Sequence, residues 1–169
     1  MGDVRIQVHI REPHRGDDEG SNADLAVIVR HWVAMLRAME AVGWHPLVGD
    51  DDLLTEFERR VRVQLANPKI LVLLADTDAG ICGLLEAELI ELSGIFQPRR
   101  GIHISAVYVE EAMRHQGIAR RLIDRAFDWA RAQGGTFAQL SVLAANPARH
   151  LYESIGFTVF EQEMTLPLR

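Results

Sequence analysis

The stretch from Val107 to Ile123 passes from the end of a run rich in β-branched residues, through the polar turn residues Glu110 to Gln116 and Gly117, into a strongly amphipathic helical pattern. A strand, a glycine turn and a helix start in that order gather free backbone N–H groups at the positive end of a helix dipole, which is a ready anion site. A phosphate or diphosphate suits such a mouth, and Gly117 matters because a Cβ there would hold the phosphate off the backbone. From these residues alone, a glycine that merely permits a tight turn is the competing explanation. Other groups carry less chemistry. Asp50, Asp51 and Asp52 open an amphipathic segment, where carboxylates favour the positive end of a helix; direct contact with a substrate is the alternative. The seven histidines show no ligand spacing, so no metal site is expected. Cys82 is the sole cysteine, which excludes an internal disulfide, and it reads as a small core residue rather than an acyl carrier.

These residues need a scaffold, and the patterning supplies one. Val4 to Arg11 alternates apolar and polar residues as a half-buried strand does. A polar stretch from Pro13 to Asn22 reads as a loop or helix start. Leu25, Ile28, Val29, Trp32, Leu36 and Met39 then recur at helical spacing, with Gly43 as a stop. A second helix follows Asp50 to Asp52 and ends near Asn67 and Pro68. Ile70 to Leu74 is a short apolar strand, and the turn Asp76 to Gly80 leads into Ile81 to Leu92 as a hairpin. Ile102 to Val109 is a central strand. Ala119, Leu122, Ile123, Ala126, Phe127 and Ala130 mark the apolar face of the next helix, which Gly134 and Gly135 end. Phe137 to Leu143 is a further strand, a short helix runs to Ile155, and Phe157 to Leu168 is a last strand. The expected fold is α/β (α+β), one domain over residues 1–169, with a mixed central sheet of six to seven strands and helices on both faces.

The 169 residues suffice for a sizeable core, and a net charge of -6 without a Lys/Arg run argues against a nucleic-acid partner. No apolar stretch approaches the length of a membrane span, and the charged N-terminus lacks the core of a signal peptide. No membrane association and a cytoplasmic location are therefore expected.

A second segment, Asn146-Pro147-Ala148-Arg149-His150-Leu151-Tyr152-Glu153-Ser154-Ile155-Gly156-Phe157, adds a specific signal. With Arg114, Gly117 and Ala119 of the first segment, its Leu-Tyr-Glu-x-x-Gly-Phe ending closely resembles the GCN5-related N-acetyltransferase (GNAT) superfamily. The resemblance covers about Ile102 to Phe157. It implies an acetyl-coenzyme A-dependent acyltransferase that passes acetyl to a primary amine of a small molecule or peptide by direct attack in a ternary complex. It further implies that the coenzyme pyrophosphate is held by the amides of His115, Gln116, Gly117, Ile118, Ala119 and Arg120, with the motif's Arg114 a cofactor-binding residue beside them, and the pantetheine arm by the main chains of Val107 and Val109. Tyr152 matches the tyrosine that protonates the departing thiolate, a role its ordinary pKa near 10 suits. The family leaves a homodimer open.

The match departs from the family in three places. Ala145 stands where the family has its asparagine, with Asn146 one position late, so Asn146 is a coenzyme contact or a cap of the short helix. Ser105 stands where many relatives carry a glutamate base, and a serine cannot act as that base unaided. Glu86 and Glu88, on one face of the preceding strand, could serve through water, and His103 has a suitable intrinsic pKa. Finally, His115 replaces a glycine next to the motif arginine. A non-catalytic acyl-coenzyme A sensor of the same fold is the alternative function.

Overall fold

The computed structural model describes residues 6–16, 18–43, 45–97 and 99–166. In chain order the elements are β1 (His9–Arg11), α1 (Glu19–Ala41), α2 (Asp50–Ala66), β2 (Ile70–Thr77), β3 (Gly80–Glu91), β4 (Arg100–Val109), α3 (Ile118–Ala132), β5 (Ala138–Leu140) and α4 (Arg149–Ile155), with a single 3₁₀ turn at Glu111–Met113. The five strands lie in the order β1-β2-β3-β4-β5. The first four are antiparallel neighbours, and β5 joins β4 in parallel, so the sheet is mixed.

Two apolar clusters cover the two faces. Ile118, Leu122, Ile123, Ala126 and Ala130 of α3 pack on Leu71, Leu73, Leu85, Ala87, Ile102 and Ile104. On the other face Leu25, Ile28, Val29, Trp32 and Leu36 of α1 join Leu53, Phe57 and Val61 of α2 over Val72, Leu74 and Leu84. The alternation of Leu71 to Ala75 between the clusters is what a strand buried on both faces requires. Local chemistry sets the helix starts: Asp18 accepts the Ser21 N–H at 2.7 Å and caps α1, while Asp50, Asp51 and Asp52 occupy the first turn of α2 as their charge favours. Arg11 binds Asp24 through both terminal nitrogens, at 2.7 and 2.8 Å, and fastens the start of α1 to β1.

Three expected strands differ in the structure, and of Phe137 to Leu143 only Ala138–Leu140 is a strand. Of Val4 to Arg11, only His9–Arg11 pairs, while Val4 and Arg5 lie outside the described residues. Phe157 to Leu168 forms no strand among its described residues, and Pro167 and Leu168 lie outside them, so the described sheet has five strands rather than six to seven. Phe160 is 98% exposed and Met164 93%. Apolar residues recur here, but a strand also needs a partner edge, and β5 offers one only three residues long.

Candidate functional site

The site is built on a split in the sheet. At one end β4 and β5 are held tightly: Ile102 N–H donates to the Phe137 carbonyl at 3.0 Å, and a Cβ on Gly101 would lie 2.6 Å from that same oxygen. Pairing then stops at Ile104 with Leu140, while β4 runs on to Val109. The strands therefore part beyond this point, and the β4 edge from Ser105 onward has no β5 partner among the described residues. A bulge falls at the same place. Glu86 of β3 faces Ala106 and Ala87 faces Ile104, which leaves Ser105 as the extra residue. Its insertion switches the side-chain phase of β4: Ile102, Ile104, Val107 and Val109 all pack toward α3, whereas Ala106 and Tyr108 pack toward α1 and α2.

Beyond Val109 the chain turns through Arg114 to Gln116 into α3. Arg114 Nε donates to the Val109 carbonyl at 3.0 Å and ties the turn to the end of β4. Gly117 is the N-cap of α3, at φ 75° with no side-chain cap, and the first helical turn is closed by Arg121 N–H to the Gly117 carbonyl. Among the described residues no protein acceptor meets the amides of residues 115–120. The groups the sequence marked as an anion mouth are thus free, and the space a Gly117 Cβ would enter is clear of any atom within 4 Å. This is a cradle fitted to a phosphate group. The side chains play unequal parts. Ile118 is buried in the core, Ala119 packs against it, Gln116 is exposed, and Arg120 turns outward to pair with Asp124 at 3.1 Å.

His115 is the non-glycine residue with positive φ, at 62°, among the described residues. The glycine expected there by resemblance therefore has a conformational reason. His115→Gly should relieve the left-handed strain, which costs an L-residue ~1–2 kcal/mol, and lose part of that gain to greater freedom in the unfolded chain. A net stabilisation of up to ~1 kcal/mol is expected, read as a higher urea midpoint at unchanged slope.

On the α1 and α2 face, opposite the bulge, Glu86 is buried at 3% exposure. Its Oε1 accepts Gln64 Nε2 at 2.7 Å and Ser105 Oγ at 2.9 Å. Glu86 Oε2, Gln64 Oε1 and Trp32 Nε1 form no hydrogen bond, although the indole lies near enough to favour the ionised carboxylate. Burial pushes the Glu86 carboxyl above the usual range; the Ser105 hydrogen bond and the Arg60 charge act against that shift, and Glu88 adds to it. Arg60 itself stacks over the Trp32 ring, 5.0 Å from its centre. Glu86 was legible as a candidate, whereas Gln64 and Trp32 were missed. A carboxylate between Leu85 and Ala87, inside the apolar half of the strand, was the available signal that buried partners exist.

The remaining candidates lie around this frame. Glu88 shares the face of Glu86 but is exposed, so the structure separates the two carboxylates by environment. His103 is half-buried beside Gln139, with nitrogens 3.5 Å apart. Asn146 uses its Oδ1 to accept the Ala148 N–H at 2.9 Å, shaping the turn into α4 and leaving its amide NH₂ as a donor. Tyr152 of α4 is half-buried, edge-on to Phe157 with ring centres 6.1 Å apart, and burial raises its phenol above the ordinary value. Cys82 is buried, donates to the Ala75 carbonyl at 3.4 Å and has its thiol pushed up by burial, the opposite of an activated nucleophile. Among the described residues no group of three or more His, Cys, Asp or Glu could hold a metal ion, and no helix is long and apolar enough to cross a membrane.

A strand edge left free where the sheet splits, beside a helix mouth with open amides, is the frame of the site. The acetyltransferase (GNAT) family model matches residues 34–157, and the chain belongs to that family. No curated protein matches the sequence. Among solved structures, a Bacillus halodurans C-125 protein described as a transcriptional regulator superposes with a TM-score of 0.74 at 20% identity, covering 96% of this chain and all of its own. A predicted acetyltransferase from Clostridium acetobutylicum, solved with acetyl-coenzyme A, gives 0.69 at 21% identity over 95% of this chain and 96% of that one. The aminoglycoside 6'-N-acetyltransferase of Acinetobacter haemolyticus gives 0.67 at 21% identity over 95% and 98%. At these identities the likeness establishes the shared fold.

Proposed function

We propose that this protein transfers acetyl from acetyl-coenzyme A to a primary amine of a small molecule or peptide, by direct attack in a ternary complex. The observation that carries this is the set of open amides at residues 115–120, opposite a β4 edge that β5 leaves free. Acetyl-coenzyme A supplies an activated acyl group when bound. The amides from His115 to Arg120 would hold its diphosphate and the main chains of Val107 and Val109 its pantetheine arm, with Arg114 bracing the turn and Asn146 Nδ2 as a further donor. A β4 amide at Val107 or a neighbour polarises the acyl carbonyl, and Tyr152 gives its proton to the departing sulfur. The protein's net charge of -6 suits a cationic acceptor, and a structural relative bearing an aminoglycoside acetyltransferase name supports an amine of that kind. A cytoplasmic setting fits a single buried thiol.

The test is incubation with acetyl-coenzyme A and each of spermidine, kanamycin and a lysine-containing peptide, following free thiol. Release of thiol above the no-amine rate with at least one of them is the expected result. Coenzyme binding by calorimetry with no amine-dependent thiol would make the protein a sensor instead.

A further inference from the structure

The family's glutamate position on β4 holds Ser105, yet that serine is hydrogen-bonded to a buried carboxylate one strand away. We propose, resting on the acetyltransferase reading above, that Ser105 and Glu86 form one proton path, in which Ser105 Oγ receives the proton the amine loses on acetyl transfer and Glu86 takes the serine's own.

Four observations converge on this pair. Ser105 is the bulge residue, and it follows directly on the last paired position of β4 with β5, so it stands at the apex of the split along which the thioester is proposed to lie. Its hydroxyl lies 2.9 Å from Glu86 Oε1 and 3.3 Å from the Glu86 carbonyl, so both acceptors within reach belong to Glu86 and the Oγ lone pairs can accept from an incoming N–H. Gln64 donates to that same Oε1 at 2.7 Å and fixes the carboxylate's orientation. Finally, Glu86 Oε2, Gln64 Oε1 and Trp32 Nε1 are three of the five buried side-chain atoms without a partner among the described residues. A buried carboxylate left partly unsatisfied costs stability, so an apolar residue would serve a purely structural role better. Such groups concentrate where proton chemistry is done. Burial also holds the carboxyl above the ordinary glutamate range, which makes it a stronger base than an exposed glutamate.

The step balances. The amine nitrogen forms a bond to the acetyl carbon and the carbon–sulfur bond breaks, with Tyr152 supplying the sulfur's proton. The nitrogen's surplus proton passes to Ser105 Oγ as the Ser105 proton passes to Glu86 Oε1, and solvent later resets Glu86 and Tyr152. Ser105 is then the catalytic residue that touches the amine. Glu86 acts through it, and Gln64 positions Glu86.

Glu86 must be ionised to accept a proton. The charged groups that face it are Arg60 from α2, which favours ionisation, and Glu88 on its own strand, which opposes it; from α1 and β4 it meets the uncharged Trp32 and Ser105. For whichever of spermidine, kanamycin or the lysine peptide is turned over, log(kcat/KM) of the wild type should rise with a slope of about one at neutral pH, from the amine itself, steepening to about two below the Glu86 pKa. Glu86→Gln and Ser105→Ala should each lower kcat/KM by about 30-fold at neutral pH and keep a slope near one throughout, while Ser105→Thr, which retains the hydroxyl, should keep the steep limb. A second readout needs no acceptor. In protein carrying ¹³C-labelled glutamate, the Glu86 carboxyl should titrate higher in Ser105→Ala than in wild type, because a hydrogen bond to its charged form is lost. Calorimetric binding of acetyl-coenzyme A and the urea midpoint confirm that the variants fold. Persistence of the steep limb in both Glu86→Gln and Ser105→Ala overturns the proton path while leaving acetyl transfer intact. A wild type that binds the coenzyme but turns over none of the three amines overturns the acetyltransferase reading and the path with it.

Discussion

Replacing Gly117 with valine is expected to weaken acetyl-coenzyme A binding by about 100-fold, equivalent to ~2.7 kcal/mol, with the protein still folded. Two effects combine. Gly117 holds φ at 75°, and a β-branched residue is especially disfavoured in that left-handed region, where an ordinary L-residue already loses ~1–2 kcal/mol. The new side chain also enters space that no protein atom within 4 Å contests, in front of amides that would otherwise face the diphosphate. The protein surroundings leave a Cβ room, so the steric part of the loss should be confined to the ligand. Gly117→Ala should fall between, at about tenfold. Calorimetric titration checks both, with the urea midpoint reporting the strain separately. A valine variant that binds as the wild type does would mean that the diphosphate lies elsewhere.

The helix mouth was readable from sequence because it is contiguous: strand, turn, glycine and helix follow one another within Val107 to Ile123, and their geometry is local. The order of the elements was readable for a similar reason, since each rests on its own periodicity. What failed was strand formation at the chain's end. Apolar residues such as Phe160, Met164 and Leu166 invite the reading of a strand, but pairing depends on an edge that β5 presents over only three residues, and no local pattern records that. The carboxylate cluster was half legible. Glu86 was a candidate together with Glu88, yet Gln64 belongs to another element, and the bulge that leaves Ser105 unpaired beside Glu86 depends on how two strands pair. A serine cannot act as a base unaided, and what sequence could not show was the Glu86 carboxylate that its hydroxyl meets.

Tyr152→Phe is expected to lower kcat by about 100-fold while leaving acetyl-coenzyme A affinity within about twofold. The substitution keeps the ring, so the edge-on contact with Phe157 and the packing of α4 on the α3 face persist. Only the O–H is removed. A departing thiolate must gain a proton, and a group that remains protonated throughout the neutral range can deliver it in every turnover. Burial lifts the Tyr152 phenol above its ordinary value, so the group stays protonated through the neutral range. The wild-type rate should accordingly show no decline attributable to this group near neutrality, and a decline there would belong to another ionisation. Thiol release under saturating acetyl-coenzyme A, measured beside calorimetric affinity, separates the outcomes. A variant with unchanged kcat would remove Tyr152 from the chemistry. One that loses affinity at constant kcat would make it a packing residue of the coenzyme cleft, with the sulfur drawing its proton from solvent.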